Sequence, residues 1–254
     1  MTDKFAMTKV KWVIFDLDDT LHEFSLAAKT AMEMVYHYLD EEFGIDPVEA
    51  REAYADILKE GQSTHFVDDL PSRTYRQKRL EKLFDRFSLL YHIHLDRCLD
   101  IYDESLAEVL TLKEGAIELL QECKRHDLNV MVVTEGPEDA QQKTLERLGI
   151  APYVNRLFTS SKCKLHKGNG LFTHAIEEVG GTPEESIVIG DNIDRDIAPA
   201  EAMGLLAILV TKKPVPRNIP FVSSLMILAE QLKDEAKNYV FPMPVATQRE
   251  LHKQ

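Results

Sequence analysis

Residues 10–20 read VKWVIFDLDDT: an apolar run interrupted only by Lys11, then three carboxylates in four positions. A short run without polar alternation is the pattern of a parallel strand buried on both faces, and the acids put its carboxyl end at a polar site. Three further stretches have the same character: residues 128–134 (LNVMVVT), 186–190 (SIVIG) and 205–210 (LLAILV), with a shorter one at 156–159. Helical spacing fills the gaps. Ile117, Leu120 and Cys123 share one side of residues 115–126, and Ala140, Leu145 and Leu148 one side of 138–148, which stops at Gly149. Phe172, Ala175, Ile176 and Val179 do the same over 171–179. Strands alternating with helices predict an α/β fold with a doubly wound parallel-sheet, Rossmann-like core.

The alternation breaks once. Between residues 21 and 112 there is no strand pattern but four amphipathic stripes, built on Ala31, Val35 and Leu39, on Ala50, Ala53 and Ile57, on Leu80, Leu83 and Phe84, and on Tyr102, Leu106 and Val109. Asp46-Pro47 opens the second as N-cap plus first-turn proline. These predict an inserted four-helix-bundle cap. Starting just after the first strand, it should sit over the strand's carboxyl end, where open α/β sheets bind ligands. The expected domains are a discontinuous core, residues 1–20 and 113–238, a cap over 21–112 and a C-terminal tail over 239–254. Residues 212–220, with three prolines, read as a loop, and 224–237 as a last helix.

With 43 acids against 30 bases the formal charge is −13, a field that repels nucleic acid and anionic lipid, so neither is expected as a partner. Any phosphate must be met by local positive charge. Cys98, Cys123 and Cys163 are too few and scattered for a disulfide framework or a zinc site. No apolar run approaches the roughly 18 residues of a membrane span, and residues 1–10 lack a signal-peptide core, so a cytoplasmic, soluble protein is expected.

Four stretches carry chemistry. Two carboxylates and a carbonyl within Asp16-Leu17-Asp18-Asp19-Thr20 can hold Mg²⁺, one carboxylate attacking phosphorus while another exchanges a proton, although a solvated acidic turn fits that stretch alone about equally well. Gly190-Asp191-Asn192, with Asp196 five residues after Asp191, offers further acids at another strand end. Thr134-Glu135-Gly136 supplies a hydroxyl and turn amides suited to phosphate oxygens. Ahead of the helix at Leu171, Lys162, Lys164 and Lys167 each qualify as the neutralising cation. Singly, the last three are ordinary turns or a basic loop.

In this order the set resembles the haloacid dehalogenase-like (HAD) hydrolase superfamily, in its helical-cap phosphatase subfamily, over residues 9–236. The resemblance implies that Asp16 is the nucleophile, forming an aspartyl-phosphate, and that Asp18 is the general acid and then the base for the hydrolytic water. Thr134 and the backbone of Glu135 would hold the phosphoryl oxygens. The family's spacing of six residues before a Phe falls on His166, so the lysine would be Lys167, only one residue off that spacing, with Lys164 as second choice. Asp16, the carbonyl of Asp18 and Asp191 would bind Mg²⁺, with Asp196 as a further ligand or a support behind them. Glu135 departs from the usual Asn, and Asp19 stands where Gly is common. The implied activity is Mg²⁺-dependent hydrolysis of a small phosphomonoester metabolite of sugar-phosphate, nucleotide or phosphoglycolate type. A phosphomutase and a catalytically silent regulatory protein are the rivals, and the intact acids argue against the second.

Other residues read more plainly. Arg73, Arg76, Lys78, Arg79 and Lys82 make the third insert helix basic, which suits a face paired with acids twice as well as an anion contact. His92 and His94 are too close for a zinc spacing on one helix face. His22 and Glu23 follow the first motif and could line the pocket mouth.

Overall fold

A computed structural model describes residues 10–60, 66, 68–89, 93–215 and 219–234. The chain enters through β1 (Trp12–Phe15) and then leaves the sheet for α1 (Phe24–Phe43), α2 (Pro47–Glu60), α3 (Ser72–Arg86) and α4 (Ile93–Val109). It returns through α5 (Ala116–Arg125), β2 (Asn129–Thr134), α6 (Glu138–Arg147) and β3 (Arg156–Thr159), followed by the short α7 (Ser160–Cys163). The second half runs α8 (Leu171–Glu178), β4 (Ser186–Gly190), α9 (Ala198–Ala202), β5 (Leu206–Val210), β6 (Phe221–Val222) and α10 (Leu225–Asp234).

The strands form one parallel sheet in the order β3-β2-β1-β4-β5-β6. β1 lies between β2 and β4, so the strand order reverses at β1, and that reversal opens the crevice in which such sheets bind ligands. The apolar run at β1 has a packing cause: Val13, Ile14 and Phe15 are all fully buried. Val13 and Phe15 pack with Leu119 and Leu120 of α5 and Leu228 of α10, whereas Ile14 packs with Phe172 and Ala175 of α8 and Ala200 of α9. Helices therefore cover both faces, and the fold is α/β and Rossmann-like as expected.

Helices α1 to α4 bury a separate apolar cluster that includes Val35, Leu39, Ala53, Leu83, Phe84 and Leu99. Asp46 Oδ1 accepts the Val48 N–H at 2.7 Å, capping α2 ahead of Pro47. Two antiparallel passes join this insert to the sheet: the Lys113 N–H donates to the Leu21 carbonyl at 2.9 Å and the Glu23 N–H to that of Thr111 at 3.0 Å. At the start of α3, Ser72 donates its N–H (2.9 Å) and hydroxyl (2.8 Å) to the Asp139 carboxylate on α6. His94 bonds the Tyr38 hydroxyl at 2.7 Å and stacks edge-on to Phe43, which gives it a packing role. His92, residues 1–9, residues 235–237 of the last expected helix and the expected tail over 239–254 lie outside the described residues. Three elements had no sequence expectation: β6, a two-residue strand beside β5, and the short helices α7 and α9. Each is too short for its hydrophobic period to repeat, and without a repeat the pattern cannot be read.

Candidate active site

The carboxyl ends of β1, β2 and β4 bring the acidic and hydroxyl-bearing stretches to one place. The Asp16 N–H still belongs to the sheet, donating to the Ile189 carbonyl at 3.0 Å. The chain then coils: the Thr20 and Leu21 N–H groups both bond the Leu17 carbonyl, at 3.3 and 3.0 Å. Asp19 adopts a left-handed φ of 60°, a conformation that suits glycine and that aspartate tolerates better than most residues. Its carboxylate accepts the Ser25 N–H at 2.8 Å and the Ser25 hydroxyl, steadying the entry into α1. Thr20, fully buried, donates its hydroxyl to Asp16 Oδ2 at 3.0 Å.

After β4, Asn192 Oδ1 accepts the N–H groups of Asp194 and Arg195, both at 3.0 Å, and starts a π turn over Ile193–Ile197. That turn aims Asp196 back at the sheet, 1% exposed, where its Oδ2 takes the Asn192 N–H at 3.0 Å. Lys167, 4% exposed, opens a 3₁₀ turn, and its Nζ donates to Asp16 Oδ1 and, at 2.6 Å, to Asp196 Oδ1. Burial pulls the Lys167 ammonium toward neutrality, but the charges of Asp16 and Asp196 outweigh it and hold it above the usual lysine range. The same enclosure acts oppositely on the acids. Burial, then the charge of Asp16, pushes Asp196 up to about 6, and burial with Asp16 and Asp19 raises Asp191.

Asp16, Asp191 and Asp196 each offer an oxygen within 4.8 Å of the others, and Asp191 Oδ1 is buried without a hydrogen-bond partner. A hard-oxygen cluster in which the charge of Asp16 raises the pKa of both Asp191 and Asp196, and in which one oxygen is left unpaired, fits a divalent cation. Three of the residues expected around Mg²⁺ therefore share one place, with Lys167 beside them.

The second stretch sits at the end of β2. The Thr134 hydroxyl is fully buried and makes no protein hydrogen bond, so it is available to a ligand. The Gly136 and Glu138 N–H groups are held by the Ser160 and Ser161 hydroxyls at 2.9 and 3.0 Å, which fixes the turn. Glu135 Oε1 accepts the Lys167 N–H at 3.1 Å, while Oε2 lies 3.9 Å from Arg195. The charge that departs from the usual Asn is thus spent on placing the lysine. Lys162 pairs instead with Glu138 at 3.3 Å, and Lys164 is an exposed residue ending α7 at a left-handed φ of 56°.

Asp18 turns its carboxylate toward two neighbours. Oδ1 is 3.0 Å from His22 Nε2 and Oδ2 accepts Gln141 Nε2 at 3.2 Å. His22 is fully buried, inside the linker rather than at a pocket mouth. Gln141 escaped the sequence reading, and so did Ser160 and Ser161. A signal existed for Gln141: it lies four residues before Leu145 and so on the apolar side of α6, where a polar side chain needs a reason.

A model of haloacid dehalogenase-like hydrolases matches residues 10–204. The chain is 30% identical over 208 residues to a glyceraldehyde 3-phosphate phosphatase of Methanocaldococcus jannaschii, covering 80% of this chain and 86% of that one. It is 26% identical to the pyrimidine 5'-nucleotidase PynA of Streptococcus pneumoniae (77% and 81% covered) and 24% identical to a ribulose-1,5-bisphosphate 5-phosphatase of Halopiger xanaduensis (78% and 83%). In fold it is similar to the magnesium-bound YfnB of Bacillus subtilis, with a TM-score of 0.68 at 20% identity over 89% of this chain and 99% of that one.

Proposed function

The chain belongs to the haloacid dehalogenase-like hydrolases, and from that premise we propose that it is a Mg²⁺-dependent phosphatase that hydrolyses a small phosphomonoester metabolite through an aspartyl-phosphate on Asp16. The observation that carries this reading is the convergence of Asp16, Asp191 and Asp196 with the Lys167 ammonium at the carboxyl edge of β1 and β4.

The chain's own groups divide the work. Asp16 attacks phosphorus, forming a new O–P bond as the ester P–O bond breaks in line with it. Asp18 gives its proton to the departing oxygen, then takes one from the water that attacks phosphorus and releases Asp16. His22 and Gln141 keep the Asp18 carboxylate aimed through both steps. The Thr134 hydroxyl and the Glu135 backbone hold phosphoryl oxygens, with Lys167 balancing their charge. A bound Mg²⁺, held by Asp16, the Asp18 carbonyl and Asp191 with Asp196 in support, supplies the remaining charge neutralisation of the phosphoryl group. In this reading residues 21–112 are the cap and residues 1–20 with 113–238 the core. The enzyme works in the cytoplasm, where its three free thiols stay reduced.

The Asp16→Asn variant tests this. With Mg²⁺ and p-nitrophenyl phosphate, release of inorganic phosphate falls by roughly 10³-fold or more while the circular dichroism spectrum stays native. Undiminished release overturns the assignment; for the wild type given a sugar phosphate, isomerisation without release of inorganic phosphate would favour a mutase.

A further inference from the structure

Directly beyond Asp18, between α3 and α6, lies a cavity of about 290 Å³. Arg73, Arg76 and Arg79 of α3 and Lys143 and Arg147 of α6 line it, a concentration of cations in a chain whose formal charge is −13. Not all of that charge is free. Arg73 and Arg76 pair with Asp103 at 3.1 and 2.6 Å, Arg73 also with Asp100 at 2.8 Å, and Lys143 reaches Asp139 at 4.0 Å. The lining acids are satisfied as well: Asp103 by those arginines, Glu135 by Lys167 and Arg195, Asp18 by His22 and Gln141. Among the described residues no carboxylate pairs with Arg79 or Arg147, so the wall keeps two guanidinium groups without a counter-ion.

A second observation is independent of charge. Gln141 is 5% exposed and spends its Nε2 on Asp18, leaving Oε1 buried with no hydrogen-bond partner. The Tyr75 hydroxyl, on the same wall, is also buried and unpaired. Unmade bonds of this kind oppose folding, and a ligand supplying the missing partners offsets that cost. Oε1 accepts only, so the group that meets it must be a donor such as a hydroxyl.

We propose that this cavity takes the leaving-group half of the substrate, and that the substrate is a hydroxylated phosphomonoester with a second anionic group, either a carboxylate or a further phosphate. The proposal rests on Asp18 facing the scissile oxygen. From there a neighbouring hydroxyl donates to Gln141 Oε1, and the second anion lies against Arg79 and Arg147 with the Tyr75 hydroxyl beside it. Paired guanidinium donors suit the planar or tetrahedral oxygens of such an anion.

Binding to the Asp16→Asn protein with Mg²⁺, measured by calorimetry, tests this without depending on turnover. The probes are matched pairs: 3-phosphoglycerate against glycerol 3-phosphate, and fructose 1,6-bisphosphate against fructose 6-phosphate. At least one pair shows the more anionic member bound roughly tenfold tighter or better, and the gap narrows to about threefold or less once Arg79→Gln is added. Which pair shows the gap separates carboxylate from phosphate. Should Arg79→Gln fail to fold, Arg147→Gln at the exposed rim is expected to narrow the gap in the same way. Equal affinities within both pairs, or a gap that survives both substitutions, overturns the proposal. Turnover of the wild type keeps the two ideas apart. Phosphate released from every probe without preference sinks the anion site and leaves the phosphatase, whereas discriminating binding without release does the reverse.

Discussion

Gly190 closes β4 without a side chain because Asp196 occupies the space one would need. A Cβ built there comes within 2.5 Å of the Asp196 Cβ, Cγ and Oδ2, closer than atoms can approach. Asp196 cannot simply swing aside, since it is tied to Lys167 at 2.6 Å and to the Asn192 N–H at 3.0 Å. Gly190→Ala is therefore expected to cost about 1–3 kcal/mol of stability, read by urea denaturation. It should also lower phosphate release more than that loss of folded protein explains, because Lys167 and Asp16 move with Asp196. Wild-type turnover in Gly190→Ala would show that Asp196 is not held in place as described. At this scale the site was partly legible. Asp16 and Asp191 stand out as acids directly after buried strands, and Asp196 as a further acid five residues on, positions that sequence displays. Lys167 was distinguishable from Lys162 and Lys164 only by a spacing one residue off. What separates the three is burial and the Glu135 contact to the Lys167 N–H, both long-range facts. His22 and Gln141 were harder still, since their partner Asp18 is reached by a linker turn in one case and from another element in the other.

Elements were easier to read than residues. Every long strand fills an apolar run because it lies between helices on both faces, so burial itself writes the pattern. Contact between elements is less visible, as the junction of α5 and α10 illustrates. Gly115, the residue before α5, has a φ of +83°, and a Cβ there would sit 1.9 Å from the Met226 backbone nitrogen on α10. The Ser224 hydroxyl, which precedes α10, donates to the Glu114 carbonyl at 3.1 Å and fixes the approach. The sequence shows Gly115 as a helix-start glycine and nothing of the backbone it touches more than a hundred residues later. Gly115→Ala combines a left-handed φ with a backbone clash, so a loss above about 2 kcal/mol is expected by chemical denaturation. A loss of only a few tenths of a kcal/mol would mean that α10 does not pack against α5 this closely.

At the scale of the whole molecule, the protein carries a formal charge of −13 and still buries acids together at one sheet edge. Repulsion there opposes folding, and Lys167 answers only part of it, as the upward shifts of Asp191 and Asp196 show. A divalent cation that binds this edge in the folded state, and finds no such cluster in the unfolded chain, must raise stability by mass action. At free Mg²⁺ a hundredfold above its dissociation constant the gain is about 2.7 kcal/mol. For a chain of this size that corresponds to a rise in Tm of roughly 5–10 °C. Thermal unfolding after EDTA treatment, with Mg²⁺ then restored, measures it. Two controls separate the site from a general effect of cations on an acidic surface. NaCl at matched ionic strength screens the surface equally and should reproduce little of the shift. Asp191→Asn keeps the surface charge within one unit but removes the carboxylate whose Oδ1 lacks a partner, and should lose most of it. A shift of the same size in Asp191→Asn, or with NaCl alone, would locate the stabilising cations on the surface and detach the acidic edge from metal binding.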